Sequence, residues 1–214
     1  ANIPNLTFTP AADANGSPYA TFTFQVEDDG GTAGGGAKLD PTANVLTINV
    51  TAANDAPVIF IYPDLAAWET WEDTTGTLPA GALTFSDVDA GSGVVHTTMT
   101  VVNGTVSLNP AALGGLTFST GDGTDDSEMV FTSTLAALNA AAANPTFKPP
   151  ANFVRDATIT ITVNDQGNTP APPQSTTGVV HIPVTSVNDA PAGADKTVTT
   201  AEDTAYVFAA GDFG

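Results

Sequence analysis

The chain has 214 residues, and its 23 acidic and 4 basic residues give it a formal net charge of −19. Such a surface repels nucleic acids and anionic membranes, because both carry phosphate charge that Lys and Arg normally neutralise. We therefore expect no nucleic-acid partner. The sequence has no cysteine and no stretch of 18 or more apolar residues, so it predicts no disulfide and no membrane insertion.

The first predicted elements are short strands with turns between them. Apolar residues alternate with Thr and Gln over 20–26, and the segment ends in an acidic turn. A strand-like stretch follows at 46–50. Further along, 95–101 alternates in the same way and reaches Asn103-Gly104, which predicts a hairpin turn into the strand 105–108.

The second half of the chain repeats this character. Residues 134–142 are the only helical candidate, of two or three turns. Alternation returns over 157–163, and another strand-like stretch at 180–184 contains Pro183, which predicts an edge strand. Several short strands with turn signals between them indicate an all-β fold, a sandwich with Greek-key connections.

An internal repeat organises the sequence. Asn54-Asp55-Ala56-Pro57 recurs as Asn188-Asp189-Ala190-Pro191, and Glu72-Asp73-Thr74 recurs as Glu202-Asp203-Thr204. The period is about 130 residues. The pattern predicts three regions: the C-terminal part of one repeat, a complete repeat and the N-terminal part of the next, over 1–55, 56–189 and 190–214.

Acidic residues are bunched at repeat-related positions. They follow the penultimate strand, occupy the Asn-Asp linker and the Glu-Asp-Thr segment, and form the pair Asp87-Val88-Asp89. Calcium takes 6–8 oxygen ligands from carboxylates, amides and carbonyls, and sandwich loops cluster at the two ends. We therefore expect these clusters to converge on junctions between domains, where a cation would relieve the repulsion between carboxylates.

The same strings resemble a known family. Residues 83–93, with Asp87-Val88-Asp89, look like the Asp-X-Asp segment of cadherin repeats, and 187–191 looks like the cadherin linker. The turn Asp165-Gln166-Gly167 resembles the acidic turn two strands before that linker. The whole chain is similar to the cadherin-like, Ig-like tandem repeats of giant bacterial cell-surface adhesins.

The resemblance implies two calcium-binding junctions. The first would use Asp28, Asn54, Asp55, Glu72, Asp87 and Asp89, and the second Asp165, Asn188, Asp189, Glu202 and Asp212. Asp212 is included because it is positioned to begin another Asp-X-Asp pair. Glu69 lies near Glu72, so either glutamate is a candidate ligand.

The implied function is mechanical rather than enzymatic. We expect a secreted or cell-surface adhesion repeat that calcium stiffens, with neighbouring repeats, other copies of the chain, or surface glycans and proteins as partners. One alternative is the building block of a self-assembling extracellular filament or sheath. Another is an accessory module of a secreted polysaccharide-degrading enzyme.

Two further segments have competing interpretations. The acidic stretch 121–128 resembles a calcium loop but lacks its ligand spacing, which favours a solvated hairpin loop. Trp68 and Trp71 beside Tyr62 suggest either a sugar-stacking platform or a partly buried plug between domains, and we favour the plug.

Overall fold

The computed structural model describes residues 5–62, 68–167 and 172–213, and these are mostly β-strands in several sheets with one short helix. The all-β class predicted from the sequence is confirmed at this level. In chain order the strands are β1 (Gly16–Phe24), β2 (Asn44–Val50), β3 (Val58–Ile61), β4 (Thr70–Trp71), β5 (Gly76–Thr77), β6 (Leu83–Ser86), β7 (Val94–Val102), β8 (Thr105–Ser107), β9 (Thr117–Thr120), β10 (Glu128–Thr134), β11 (Thr146–Lys148), β12 (Ala157–Asn164), β13 (Ser175–Ile182) and β14 (Val184–Thr185). The helix α1 covers Leu135–Ala141, between β10 and β11.

The largest sheet has five antiparallel strands in the order β13-β12-β7-β10-β9. Every second residue of β12 is buried, from Ala157 to Val163, and the residues between them are Thr. The register aligns Ile161 with Met99 of β7, and Met99 with Met129 of β10. The alternation in the sequence therefore becomes one apolar face and one Thr-rich face, because successive side chains of a strand point to opposite sides.

Smaller sheets complete the hydrophobic core. β3 pairs with β6, and β8, β11 and β5 form a three-stranded sheet. Their buried residues belong to the same cluster as those of the five-stranded sheet, with Phe85, Val106 and Phe147 as contributors. At Gly178 of β13 a side chain would collide with Ile59 and Ile61 of β3. The absent side chain at Gly178 lets β3 approach the edge of the large sheet.

The helix lies where the sequence predicts it. Thr134 caps it by accepting a hydrogen bond from the Ala137 N–H, and Leu138 and Ala141 are buried. The Asn139 side chain exchanges two hydrogen bonds with the backbone of Phe85, at 2.9 and 2.8 Å. This exchange fixes β6 against the helix and so places the loop that follows β6.

The predicted hairpin at Asn103-Gly104 is wrong in one respect. Asn103 adopts a positive φ of 66°, as a tight turn requires, but β8 pairs with β11 and not with β7. The turn thus carries the chain from one sheet to another. The Phe147 ring lies against Gly104 and leaves no room there for a side chain.

The predicted edge strand at Pro183 agrees with the topology. β13 is the last strand of the five-stranded sheet, and Pro183 separates it from β14. The Pro183 carbonyl accepts a hydrogen bond from the Thr70 N–H, and β14 pairs in parallel with β4. The proline therefore ends one pairing and begins another.

β1 and β2 form a separate two-stranded hairpin. By the sequence repeat, Phe22 and Phe24 correspond to Ile159 and Ile161 of β12. The two phenylalanines are each 40% exposed, whereas the two isoleucines are 1% and 0% exposed. The face of β12 that is buried in the core thus corresponds to a face of β1 that is partly exposed to solvent.

Candidate cation site at the Asn54–Asp55 linker

The linker is brought to the Asp87-Asp89 loop by strand pairing. β3 begins at Val58, just after the linker, and β6 ends at Ser86, just before Asp87. Val58 pairs with Ser86 in the antiparallel register. The two loops must therefore meet at the same end of the β3–β6 pair, and the Asp55 N–H donates to the Asp89 carboxylate over 2.9 Å.

Asp87 folds its own loop. Its Oδ1 accepts hydrogen bonds from the backbone N–H groups of Asp89 and Ala90, each at 3.0 Å. Such a turn is typical of Asp, whose short side chain bonds the backbone two residues on. It leaves Oδ2 of Asp87 for other interactions.

Asp165 meets the linker from a third loop. It follows β12, and its Oδ1 accepts hydrogen bonds from the Gly167 and Gln174 N–H groups at 2.7 and 2.8 Å. Its Oδ2 accepts the Asn54 side-chain amide at 2.7 Å. Asp165 is completely buried, and these N–H donors replace the water that burial removes.

Three oxygen atoms at this junction are buried without a hydrogen-bond partner. They are Oδ1 of Asn54, Oδ2 of Asp87 and Oδ1 of Asp89. A buried acceptor left unpaired costs about 1–3 kcal/mol. Three of them on residues of one junction therefore indicate a missing positive or donating group.

The two carboxyl groups of the loop also perturb each other. Burial raises the pKa of Asp87, and the neighbouring Asp89 side chain raises it further. The pKa of Asp89 is lowered, chiefly by the Asp87 side chain and also by the hydrogen bond from the Asp55 N–H. The ionisation of each carboxyl group therefore depends on that of the other, as it does for close carboxyl groups in general.

Glu72 lies at the other end of the complete repeat. It is 3% exposed, its carboxylate accepts the Val187 N–H at 2.9 Å, and its own N–H donates to the Thr185 carbonyl. β13, about 24 Å long at the usual rise per residue, separates this end from the Asn54 linker. The structure therefore groups Glu72 with the second linker and Asp165 with the first, the reverse of the grouping implied by the resemblance.

Glu69 and Glu72 both lie beside Thr185. The Thr185 hydroxyl donates to the Glu69 carboxylate at 3.2 Å on the exposed side, whereas Glu72 is buried. Asn188 and Asp189 follow directly and are exposed, and the Asn188 amide donates to the Asp189 carbonyl. The structure thus places Glu72 next to the second linker.

Asp28 makes its hydrogen bonds within its own loop. Its Oδ1 accepts the Gly30 N–H at 2.9 Å, as Asp165 accepts the Gly167 N–H, and its own N–H donates to the Lys38 carbonyl. The two loops are local copies. Asp28 makes no hydrogen bond to the Asn54 linker among the described residues, so the structure does not bring it to the first junction.

Asp212 occupies a different position from the one expected. The backbone bond from its N–H to the Ala209 carbonyl repeats that from Ala82 to Pro79, 130 residues earlier. Asp212 therefore matches Ala82, five residues before Asp87, and does not begin an Asp-X-Asp pair. Its carboxylate accepts the Ala209 N–H and the Tyr206 hydroxyl.

The remaining end residue, Glu202, lies in an exposed segment. Its neighbourhood repeats that of Glu72: Asp203 and Asp73 have φ values of 61° and 59°, and Thr204 and Thr74 each donate to the carbonyl three residues before. The Glu202 carbonyl accepts the Thr204 hydroxyl. No described acidic cluster includes Glu202.

Asp13 is a further acidic residue at the first junction. A cleft of about 480 Å³ beside the linker is lined by Asp13, Asp55 and Asp89, and an adjoining cleft by Asp13, Asp55 and Asp87. The sequence repeat does not identify Asp13, because Asp13 has no acidic counterpart within residues 56–189. Only its φ of 58°, typical of a turn, marks it locally.

Carboxylates alone do not complete a metal site. In the parts of the chain that the structure describes, no three acidic or histidine side chains converge as a metal-binding group. The donors at the first junction are the Asn54 amide oxygen and one oxygen each from Asp87 and Asp89. Backbone carbonyls or water would have to supply the other ligands that calcium takes.

The 121–128 loop satisfies its own carboxylates. Asp126 accepts the Asp122 and Gly123 N–H groups at 2.9 and 2.7 Å, and Asp125 forms an ion pair with Lys148 at 3.7 Å. These contacts agree with the solvated-loop interpretation.

The two tryptophans have different environments. Trp68 packs against the hydrophobic core, whereas Trp71 is half exposed. They do not form one exposed stacking platform, because Trp68 is partly buried against the core.

No protein-family model and no curated protein matches this chain. No described helix has the length and apolar character needed to cross a membrane.

Proposed function

We propose that the chain is a calcium-binding structural repeat of an extracellular adhesion protein, with cadherin-like sandwich domains joined at the Asn54–Asp55 linker. In this proposal 1–55, 56–189 and 190–214 belong to three successive repeats. The role is mechanical, without catalysis. The partners are neighbouring repeats and the surface to which the protein attaches.

The observation that carries the proposal is the set of three unpaired buried oxygens on Asn54, Asp87 and Asp89. All are hard oxygen donors, which suit calcium or magnesium rather than zinc or copper. The proximity of Asp87 and Asp89 supports the same assignment, because a divalent cation would offset the repulsion between the two ionised carboxylates.

The ion would stiffen the linker because its ligands come from two segments. Asn54 belongs to the linker, while Asp87 and Asp89 belong to the body of the complete repeat. An ion held by both fixes the linker on the repeat, and Asp55 and Asp13 on the cleft walls add negative charge nearby. Extracellular calcium modules bind at about 10⁻⁴–10⁻³ M, so the site would be filled outside a cell.

The test is thermal unfolding with calcium and with chelator. At 100 times its dissociation constant a bound ion stabilises the folded state by about 2.7 kcal/mol, so we expect calcium to raise Tm by several degrees. Asp87→Asn combined with Asp89→Asn should abolish that rise. Asp156→Asn, at an exposed position at the opposite end of β12, is the matched control and should retain it. An unchanged Tm in the wild type would refute the proposal.

A further inference from the structure

Hydrogen bonds between protein groups hold the linker on residues 56–189. The Asn54 amide nitrogen donates to Asp165 at 2.7 Å and to the Pro172 carbonyl at 3.1 Å. The Gln174 side-chain amide donates to the Asn54 carbonyl. Both the side chain and the backbone of Asn54 are therefore bound by the loop between β12 and β13.

These partners determine which way the Asn54 amide faces. The Asp165 carboxylate, whose Oδ1 already receives two N–H groups, and the Pro172 carbonyl offer acceptors to Asn54. The side that faces them must therefore be the NH₂ group. Its Oδ1 is consequently turned away from Asp165 and remains buried and unpaired.

The second linker contains an Asn that the loop between β12 and β13 does not contact. Asn188 is the repeat counterpart of Asn54, but it is exposed, and its amide donates to the adjacent Asp189 carbonyl at 3.3 Å. Among the described residues, Asn188 receives none of the contacts that Asp165, Pro172 and Gln174 make with Asn54, so it is an internal reference for an Asn without them.

We propose that Asp165 is a positioning residue: with Pro172 and Gln174 it latches Asn54 in the absence of any ion and turns the Asn54 oxygen toward the cation. This latch, the set of hydrogen bonds that join Asp165, Pro172 and Gln174 to Asn54, does not depend on the proposed function. Only its effect on the cation rests on the proposed function. It assigns Asp165 a role other than that of a direct ligand. Asp165 acts through Asn54, as partners of metal ligands generally do.

The first test is NMR on the calcium-free protein in chelator. We expect the Asn54 side-chain NH₂ protons to exchange slowly with solvent, and those of Asn188 to exchange at the rate of a free amide. Equal, rapid exchange at both residues would overturn the latch. Slow exchange in a protein that then fails to bind calcium would retain the latch and refute only the proposed function.

The second test is calcium affinity in variants. In Asp165→Asn, the side-chain NH₂ groups of residues 165 and 54 would face each other, and both are donors. The Asn54 amide would have to turn, which would point its NH₂ group toward the cation. We therefore expect 10–100-fold weaker calcium binding and rapid NH₂ exchange. Adding Asn54→Asp restores an acceptor–donor pair and returns an oxygen to the cation side, so the double variant should recover affinity. No recovery would contradict positioning and favour direct ligation by Asp165.

A milder variant covers the case in which Asp165→Asn does not fold. Gln174→Met keeps the backbone N–H that bonds Asp165 but removes the donor to the Asn54 carbonyl. We expect faster NH₂ exchange at Asn54 and weaker calcium binding, with Asp165 unchanged. Wild-type values for both quantities would overturn the latch.

Discussion

At the scale of single residues, the acidic side chains of this protein divide by what their oxygens contact. Asp126 and Asp165 each accept two backbone N–H groups or more, and they fold their own loops. Asp87 and Asp89 each keep one buried oxygen without a partner. Asp87 also accepts two backbone N–H groups through its other oxygen, so the feature that distinguishes the second pair is the buried oxygen that has no partner.

The pKa shifts of Asp87 and Asp89 predict how the ion-free protein responds to pH. The raised pKa of Asp87 means that its ionisation costs stability, so stability is lost as pH rises through that value. The lowered pKa of Asp89 means that its ionised form adds stability, which is lost as pH falls through it. We therefore expect these two groups to contribute most to stability at a pH between the two pKa values.

Thermal unfolding in chelator between pH 7 and pH 4 measures this effect. Asp87→Asn should flatten the part of the curve near the raised pKa, whereas Asp156→Asn should leave it unchanged. Calcium binds the ionised carboxylates, so its affinity should fall as the pH is lowered toward the pKa of Asp87. Identical pH profiles in the wild type and Asp87→Asn would contradict the raised pKa of Asp87.

Asp126 gives a prediction that is independent of calcium. Asp126→Ala removes the acceptor of two backbone N–H groups, and hydrogen bonds to charged groups contribute about 1.5–3 kcal/mol each in favourable settings. Because the loop is partly exposed, we expect a loss of about 1–3 kcal/mol in urea unfolding. Calcium affinity should not change, and a change would show that this loop takes part in the cation site.

At the scale of elements, pairing decides which loops meet. β3 and β6 bring the linker to Asp87 because each borders one of the two loops. The Asn139 side chain holds β6 to α1, so the helix supports the strand that leads into the Asp87 loop. A short helix in an all-β chain thus has a positional role.

At Gly104 the packing between two elements leaves no room for a side chain. A methyl group there would collide with the Phe147 ring and approach the Lys148 carbonyl at 2.8 Å. Overpacking of this kind costs about 1–3 kcal/mol, so Gly104→Ala should lower the free energy of unfolding by that amount. Gly114→Ala, where no atom lies within 4 Å of the added carbon, should cost far less.

At the scale of the whole molecule, one proposed arrangement accounts for both the net negative charge and the exposed apolar surfaces. The hairpin β1–β2 and the segment 190–213 expose apolar residues whose counterparts in the complete repeat are buried. In the proposed tandem arrangement, neighbouring repeat segments would cover them. Divalent cations at the proposed junctions would reduce the repulsion within a chain of net charge −19.

Small-angle scattering measures the predicted stiffening. Calcium should narrow the distribution of interatomic distances and extend its upper limit in the wild type, because it fixes the linker on the complete repeat. Asp87→Asn combined with Asp89→Asn should scatter alike with calcium and with chelator. A wild-type curve insensitive to calcium would contradict stiffening even if the ion binds.

The sequence by itself determined the strand alternation, the helix, the edge strand at Pro183 and the repeated turns, because each depends on neighbouring residues. It also predicted the acidic residues that the structure places at the Asn54 linker, apart from Asp13. Tertiary structure alone decided which end each loop occupies. Asp165 and Glu72 exchanged junctions because strand direction and pairing, not distance along the chain, determine where a loop lies. The orientation of the Asn54 amide likewise follows from its contact with Asp165, 111 residues further along the chain, and the linker meets Asp89 through residues 34 apart. No local pattern encodes either contact.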